Sequence, residues 1–66
     1  MRVRYFPDTD TLLLDFSDRK VAETRDLNEN TLVELDENGH LVSMTIEHAK
    51  QQTDVDEFSY KLAAVG

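Results

Sequence analysis

Thr31-Leu32-Val33-Glu34-Leu35-Asp36-Glu37-Asn38-Gly39-His40-Leu41-Val42-Ser43-Met44-Thr45-Ile46-Glu47-His48 decides how the rest of the chain is read. Apolar and polar residues alternate on both sides of Asn38-Gly39, and a period of two is the signature of a half-buried strand. Asn-Gly is the strongest short-range hairpin signal, because a type I′ turn needs positive φ at both central residues. Taken literally, that turn pairs Leu35 with Val42, Val33 with Met44 and Thr31 with Ile46. One face then carries Val33, Leu35, Val42, Met44 and Ile46. The other carries Leu32, Glu34, Asp36, Leu41, Ser43, Thr45 and Glu47.

Upstream, Arg2 to Phe6 and Thr11 to Phe16 repeat the layout around Pro7-Asp8-Thr9-Asp10. Proline presets φ and the aspartates bond local backbone groups, so these four residues form the loop. Tyr5 then faces Leu12, Val3 faces Leu14 and Arg2 faces Asp15. This register puts Val3, Tyr5, Leu12 and Leu14 on one face, with Phe16 beyond them, and sets up a cross-strand charge pair on the other. Ser17 to Lys20 is a polar link. Val21-Ala22-Glu23-Thr24 reads as a short edge strand within a weakly periodic stretch that reaches Asn30.

After Ala49 the period changes. Thr53 and Asp54 offer N-cap oxygens, and Asp54, Asp56 and Glu57 suit the first turn of a helix. Val55, Phe58, Leu62 and Val65 recur at helical spacing, with Lys61 near the end and Gly66 closing the chain. A helix is expected from about Asp54 to Ala64. The expected fold is a single α+β domain: an antiparallel sheet of two hairpins, about four strands, with the C-terminal helix packed on one face. Phe6, Leu13, Leu32 and Leu41 should point away from that core, either as scattered exposed leucines or as a docking patch.

Sixty-six residues without cysteine form a domain that buries only about 60% of its unfolded surface. Neither a disulfide nor a thiolate zinc site can stabilise it, so association with a partner is the expected remedy. We expect a homo-oligomer or a complex with another protein. The lack of cysteine agrees with a reducing cytoplasm, where we place the protein. Pro7-Asp8-Thr9-Asp10 interrupts the N-terminus too early for a signal-peptide core, so no targeting segment is expected. Leu12-Leu13-Leu14 is far too short to span a bilayer. Fourteen acidic residues against seven basic ones leave a net charge of −7, which repels phosphate backbones and anionic membrane surfaces. That excludes direct nucleic-acid binding as the expected role and suits solubility or a basic protein partner.

No catalytic set emerges. The hydroxyls lie in no recognisable elbow or Gly-rich loop near an oriented histidine. Only Gly39 and Gly66 are present, so no phosphate-binding loop exists. Asp8-Thr9-Asp10 starts like a calcium loop, but glycine is missing at its sixth position and Arg19 occupies its twelfth. His40, beside the turn, reads as solvent-exposed. His48, at the strand end, reads as a boundary histidine satisfied by a neighbouring backbone group, with metal ligand or general base as the alternative. Glu47-His48 lacks the paired histidines of a zinc protease helix. We expect no enzyme, no cofactor and no metal centre.

The run Val3-Arg4-Tyr5-Phe6-Pro7-Asp8-Thr9-Asp10-Thr11-Leu12-Leu13-Leu14 resembles the opening of the bacterial domain of unknown function 2283 family. Val21-Ala22-Glu23-Thr24, Leu32 to Gly39 and Leu41 to Ala49 fit the same pattern, so the resemblance covers about residues 2 to 50. It implies a small β-rich domain and brings no catalytic residues. Some members lie beside predicted toxin genes, which implies an antitoxin-like partner or inhibitor of a basic toxin. A small-ligand or metal-binding domain using His48, Glu47 and Tyr5 at one sheet end is the alternative.

Overall fold

The computed structural model describes residues 1–63. Its elements run β1 (Arg2–Phe6), β2 (Thr11–Asp15), β3 (Glu23–Asn28), β4 (Thr31–Leu35), β5 (Leu41–Glu47) and α1 (Ala49–Gln52). All strand pairs are antiparallel, and the five strands form one sheet in the order β1-β2-β5-β4-β3. The strand formed last in the sequence is therefore central, clamped between the two hairpins.

The first hairpin has the expected register: Tyr5 opposite Leu12, Val3 opposite Leu14 and Arg2 opposite Asp15. Joining β2 to β5 aligns Leu12 with Ile46 and Leu14 with Met44, and β4 continues these rows with Thr31 and Val33. One face thus carries two apolar rows, Val3-Leu14-Met44-Val33 and Tyr5-Leu12-Ile46-Thr31. All but Thr31 are expected core residues, now in one continuous surface.

Three expectations need correction. First, there are five strands rather than about four. The edge strand begins at Glu23 rather than Val21 and continues to Asn28, exposed along its whole length. With neither face buried, Glu-Thr-Arg-Asp-Leu-Asn has no apolar alternation to betray it. Its charges also protect an open sheet edge from pairing with other chains.

Second, Leu35 pairs with Leu41 rather than Val42, because Val42 is an extra residue between the Leu35–Leu41 and Glu34–Ser43 pairs. The turn explains the shift. Gly39 alone has positive φ, at 81°, while Asn38 does not, so the turn is not type I′. Gly39 N–H donates to the Asp36 carbonyl at 3.1 Å, and Asp36 N–H donates to the His40 carbonyl at 2.9 Å. The loop is three residues long, a type I turn followed by a left-handed glycine. The bulge has a use: the Val42 carbonyl accepts Phe16 N–H at 2.8 Å and Ser17 N–H at 3.3 Å, fixing the chain where it leaves β2.

Third, no helix forms over residues 54–63, and none packs on a sheet face. The helix is the four-residue α1 at the end of the sheet. It stops at Thr53, whose φ of −153° is extended. The Asp54 carboxylate then accepts Asp56 N–H at 3.1 Å, a local turn that competes with capping. Short helices are also costly to nucleate. The chain instead continues without regular structure, and Thr53, Asp54, Val55, Glu57 and Phe58 border a cavity of about 300 Å³ with Val3, Tyr5, Leu12, Leu14 and Ile46. The expected helix end at Ala64, with Val65 and Gly66, lies outside the described residues.

Packing is sparse. Among the described residues only Val33, Leu35, Val42 and Ala49 are buried hydrophobics. The molecule measures 34 × 32 × 19 Å, a single sheet with a tail on one side.

Candidate functional site

Four places bring chemistry-bearing side chains together. The first is the tight loop after β4. Asp36, 7% exposed, accepts N–H groups from Asn38 at 2.9 Å and His40 at 2.8 Å, while Arg19 reaches its other oxygen at 3.0 Å. The His40 N–H bond, together with the Arg19 guanidinium and Asn38 N–H, holds the Asp36 carboxyl below the usual carboxylate range despite its burial. This carboxylate shapes a turn. His40 sits beside it, with its ring exposed as expected. Arg19, Lys20, Val21, Ala22, Asp36 and Glu37 border an adjoining groove of about 560 Å³.

The second lies at the opposite end of the sheet. Asp10 adopts a left-handed φ of 54°, and its carboxylate accepts the Tyr5 hydroxyl at 2.6 Å and Lys50 N–H at 3.2 Å. The Asp10 carbonyl accepts Ala49 N–H at 3.0 Å. A residue forty positions upstream thereby supplies the oxygens that α1 lacks from its own flank. The hydrogen bond to Asp10, then burial and the neighbouring negative charges, raise the Tyr5 phenol to about 12.

The third is the His48 corner. His48 has φ 53° and ψ 45°, and its Nδ1 lies 2.8 Å from Asn30 Oδ1. Asn30 carbonyl accepts Glu47 N–H at 2.7 Å. The partner of His48 is thus an asparagine side chain rather than the expected backbone group. Tyr5 is committed to Asp10, so the expected grouping of His48, Glu47 and Tyr5 does not form one centre. No three histidine or carboxylate side chains among the described residues stand where they could hold a metal ion.

The fourth is the sheet face opposite the apolar rows. Its central row runs across all five strands as Arg4, Leu13, Thr45, Leu32 and Asp26. Beside it run Arg2, Asp15, Ser43, Glu34 and Thr24, with Phe6, Thr11 and Glu47 on the other flank. Leu13, Thr45 and Leu32 are only partly shielded. No strand stacks on another, α1 packs across neither face, and residues 53–58 border the other side. No strand or helix among the described residues stacks on this face, although its Ser43 is only 4% exposed. Arg4 and Arg2 reach Asp15 at 2.9 and 3.7 Å near the β1 edge, Glu47 lies on the central β5, and Glu34 and Asp26 lie on the β4–β3 side. Ser43 Oγ donates to Glu34 at 2.6 Å, and the Arg4 guanidinium stands 5.8 Å from the centre of the Phe6 ring.

Leu13, Leu32 and Phe6 occupy this face as strand parity requires. Leu41 does not join them, because the Val42 bulge moves it opposite Leu35. Sequence reasoning placed Thr45 on the face of Leu32 but missed Arg4 and Asp26 as members of the row. Thr45 and Arg4 follow from the two hairpin registers, but Asp26 depends on a strand whose pattern is silent.

A family model described as protein of unknown function (DUF2283) matches residues 2–50, from β1 to the start of α1. No curated protein and no solved structure matches the chain. The chain belongs to the DUF2283 family.

Proposed function

We propose that this member of the family is a protein-interaction module without catalysis, and that it works through the unstacked face of its sheet. The observation that supports it most is the row Leu13-Thr45-Leu32, two leucines flanking a threonine at the middle of a five-stranded sheet and covered by no strand or helix among the described residues. A domain with so small a buried core gains stability when such a row is covered. The polar clusters support the same reading. Asp36 accepts from two backbone N–H groups and Arg19, and Asp10 accepts from Lys50 N–H and the Tyr5 hydroxyl, which leaves them structural work rather than chemistry on a substrate.

A net charge of −7 favours a basic protein over nucleic acid or anionic lipid as a further partner, through electrostatic steering of the encounter. An antitoxin-like inhibitor of a basic toxin is the member of this class that the charge favours.

The test compares wild type with the Leu13→Lys/Leu32→Lys double variant, both tagged and purified from the native host. The expected result is a folded variant with an unchanged far-ultraviolet spectrum that has lost a stoichiometric assembly present in wild type. An unfolded variant would show that this face is core. A wild type always recovered free and monomeric would count equally against the proposal.

A further inference from the structure

We propose that the cavity between the tail and the apolar face of the sheet binds a compact organic ammonium ion, an aliphatic or aromatic body carrying one positive charge. The site lies on the opposite side of the sheet from Leu13 and Leu32, and it stands independently of the interaction reading above.

The walls set the size and the apolar character. Val3 and Tyr5 of β1, Leu12 and Leu14 of β2 and Ile46 of β5 stand in adjacent paired positions and make the floor. The chain beyond α1 runs over them without regular structure, and Val55 and Phe58 contribute the facing wall. The volume is about 300 Å³, at the small end of the roughly 300–1,000 Å³ range of ligand pockets. It suits one ring or one short branched chain. A body of that kind binds by taking the aliphatic walls out of water. Tyr5 from the sheet and Phe58 from the tail add an aromatic ring on each side, and the faces of such rings attract a desolvated cation.

The rim sets the charge. Asp54 and Glu57 border the cavity, and no lysine, arginine or histidine does. Neither carboxylate enters an ion pair among the described residues. Asp56 adds a third negative charge, near enough to oppose ionisation of the Tyr5 phenol. An anionic ligand would be repelled here, and a neutral one would leave these charges unanswered. The Tyr5 hydroxyl is held by Asp10 at 2.6 Å, so the carboxylates are left to orient the charged end of a ligand.

The experiment titrates the isotope-labelled full chain at neutral pH with three probes that share one body: cyclohexylmethylammonium, cyclohexylmethanol and cyclohexanecarboxylate. The methyl resonances of Val3, Leu12 and Ile46 report on the cavity. The ammonium ion should shift them and bind roughly tenfold more tightly than the carboxylate, with the alcohol between, as charges near a protein surface dictate. Added salt should narrow that spread. Asp54→Asn/Glu57→Gln should abolish the preference for ammonium over alcohol, and Glu57→Gln alone should reduce it. Asparagine at 54 keeps a side-chain oxygen to accept Asp56 N–H. Asp18→Asn/Glu37→Gln removes the same charge at the other end of the sheet. It should leave the ammonium affinity in place, which separates the cavity from general attraction to a chain of net charge −7.

Methyl shifts absent with all three probes, equal binding of ammonium ion and carboxylate, or equal losses from the two double variants would overturn the site. Methyl shifts that follow dilution of the protein alone would assign the cavity to a second copy and overturn it as well. None of these outcomes involves Leu13 or Leu32, so failure here leaves the interaction reading standing.

Discussion

The Tyr5 hydroxyl donates to the Asp10 carboxylate across 2.6 Å, tying the start of the sheet to the residue that also anchors α1. Ionising the phenol would break that bond and set a second negative charge against Asp10, which is why the group is raised to about 12. A folded-state value above the ordinary tyrosine value of about 10 stabilises the fold with the proton on. The contribution is present in full below the ordinary value and is lost as pH climbs through the raised one. Phenolate absorbance should therefore show Tyr5 ionising late, near pH 12, and Tyr5→Phe should delete that late phase. The variant should also melt earlier at neutral pH. A wild type in which both tyrosines titrate together in the ordinary range would refute the bond.

Asp36 carries the opposite sign. Its carboxyl is held below the usual range, first by His40 N–H and then by Arg19 and Asn38 N–H. Stability from a depressed carboxylate is present above its unfolded value and disappears as pH falls through the folded one. Asp36→Ala should lower the melting temperature by several degrees at neutral pH and converge with wild type in strong acid. Arg19→Ala should do less, because that side chain is 54% exposed and exposed ion pairs contribute little. Equal losses at all pH values would show that Asp36 acts through packing rather than charge.

The hairpin registers were legible because period-two alternation and burial on one face agree, as at Tyr5–Leu12 and Val33–Met44. Where the two signals separate, reading failed. Glu23 to Asn28 is a strand held by backbone bonds to β4 alone, and an exposed edge imposes no pattern on its side chains. Val55, Phe58 and Leu62 do have helical spacing, yet helical spacing stabilises a helix only when the stripe meets a surface. Here Val55 and Phe58 border the first face from an irregular chain, and Leu62 is 84% exposed. The unstacked face was half legible. Leu13 and Leu32 follow from parity, while the alignment of Arg4 and Asp26 in one row across five strands needs the order of the sheet, which no local pattern encodes.

Gly39 occupies the left-handed region at φ 81°, and a Cβ added there would meet nothing within 4 Å. The cost of a side chain is therefore backbone strain alone. Gly39→Val should destabilise the domain by about 1 kcal/mol or more, whereas Gly39→Asn should cost a few tenths, since asparagine tolerates this conformation. Chemical denaturation of the three proteins measures both differences. If asparagine costs as much as valine, side-chain bulk rather than φ is the obstacle, and the turn differs from the three-residue loop.

The C-terminal segment offers the last test, because two arrangements of it make opposite demands on two residues. As an irregular strap, Val55 shelters against the sheet beside Leu12 and Ile46 while Leu62 stands in solvent. As a helix across the sheet, both would lie on one stripe and both would be buried. Val55→Asp should therefore cost about 1 kcal/mol, the value of a partly buried aliphatic side chain, and should move the methyl resonances of Leu12 and Ile46. Leu62→Asp should leave stability and those resonances unchanged. Neither should alter the helical signal in circular dichroism, since residues 54–63 contribute none. Comparable losses from the two variants, accompanied by a drop in helical signal, would restore the helix that the spacing of Val55, Phe58 and Leu62 predicts and place it over the Val3-Leu14-Met44-Val33 rows.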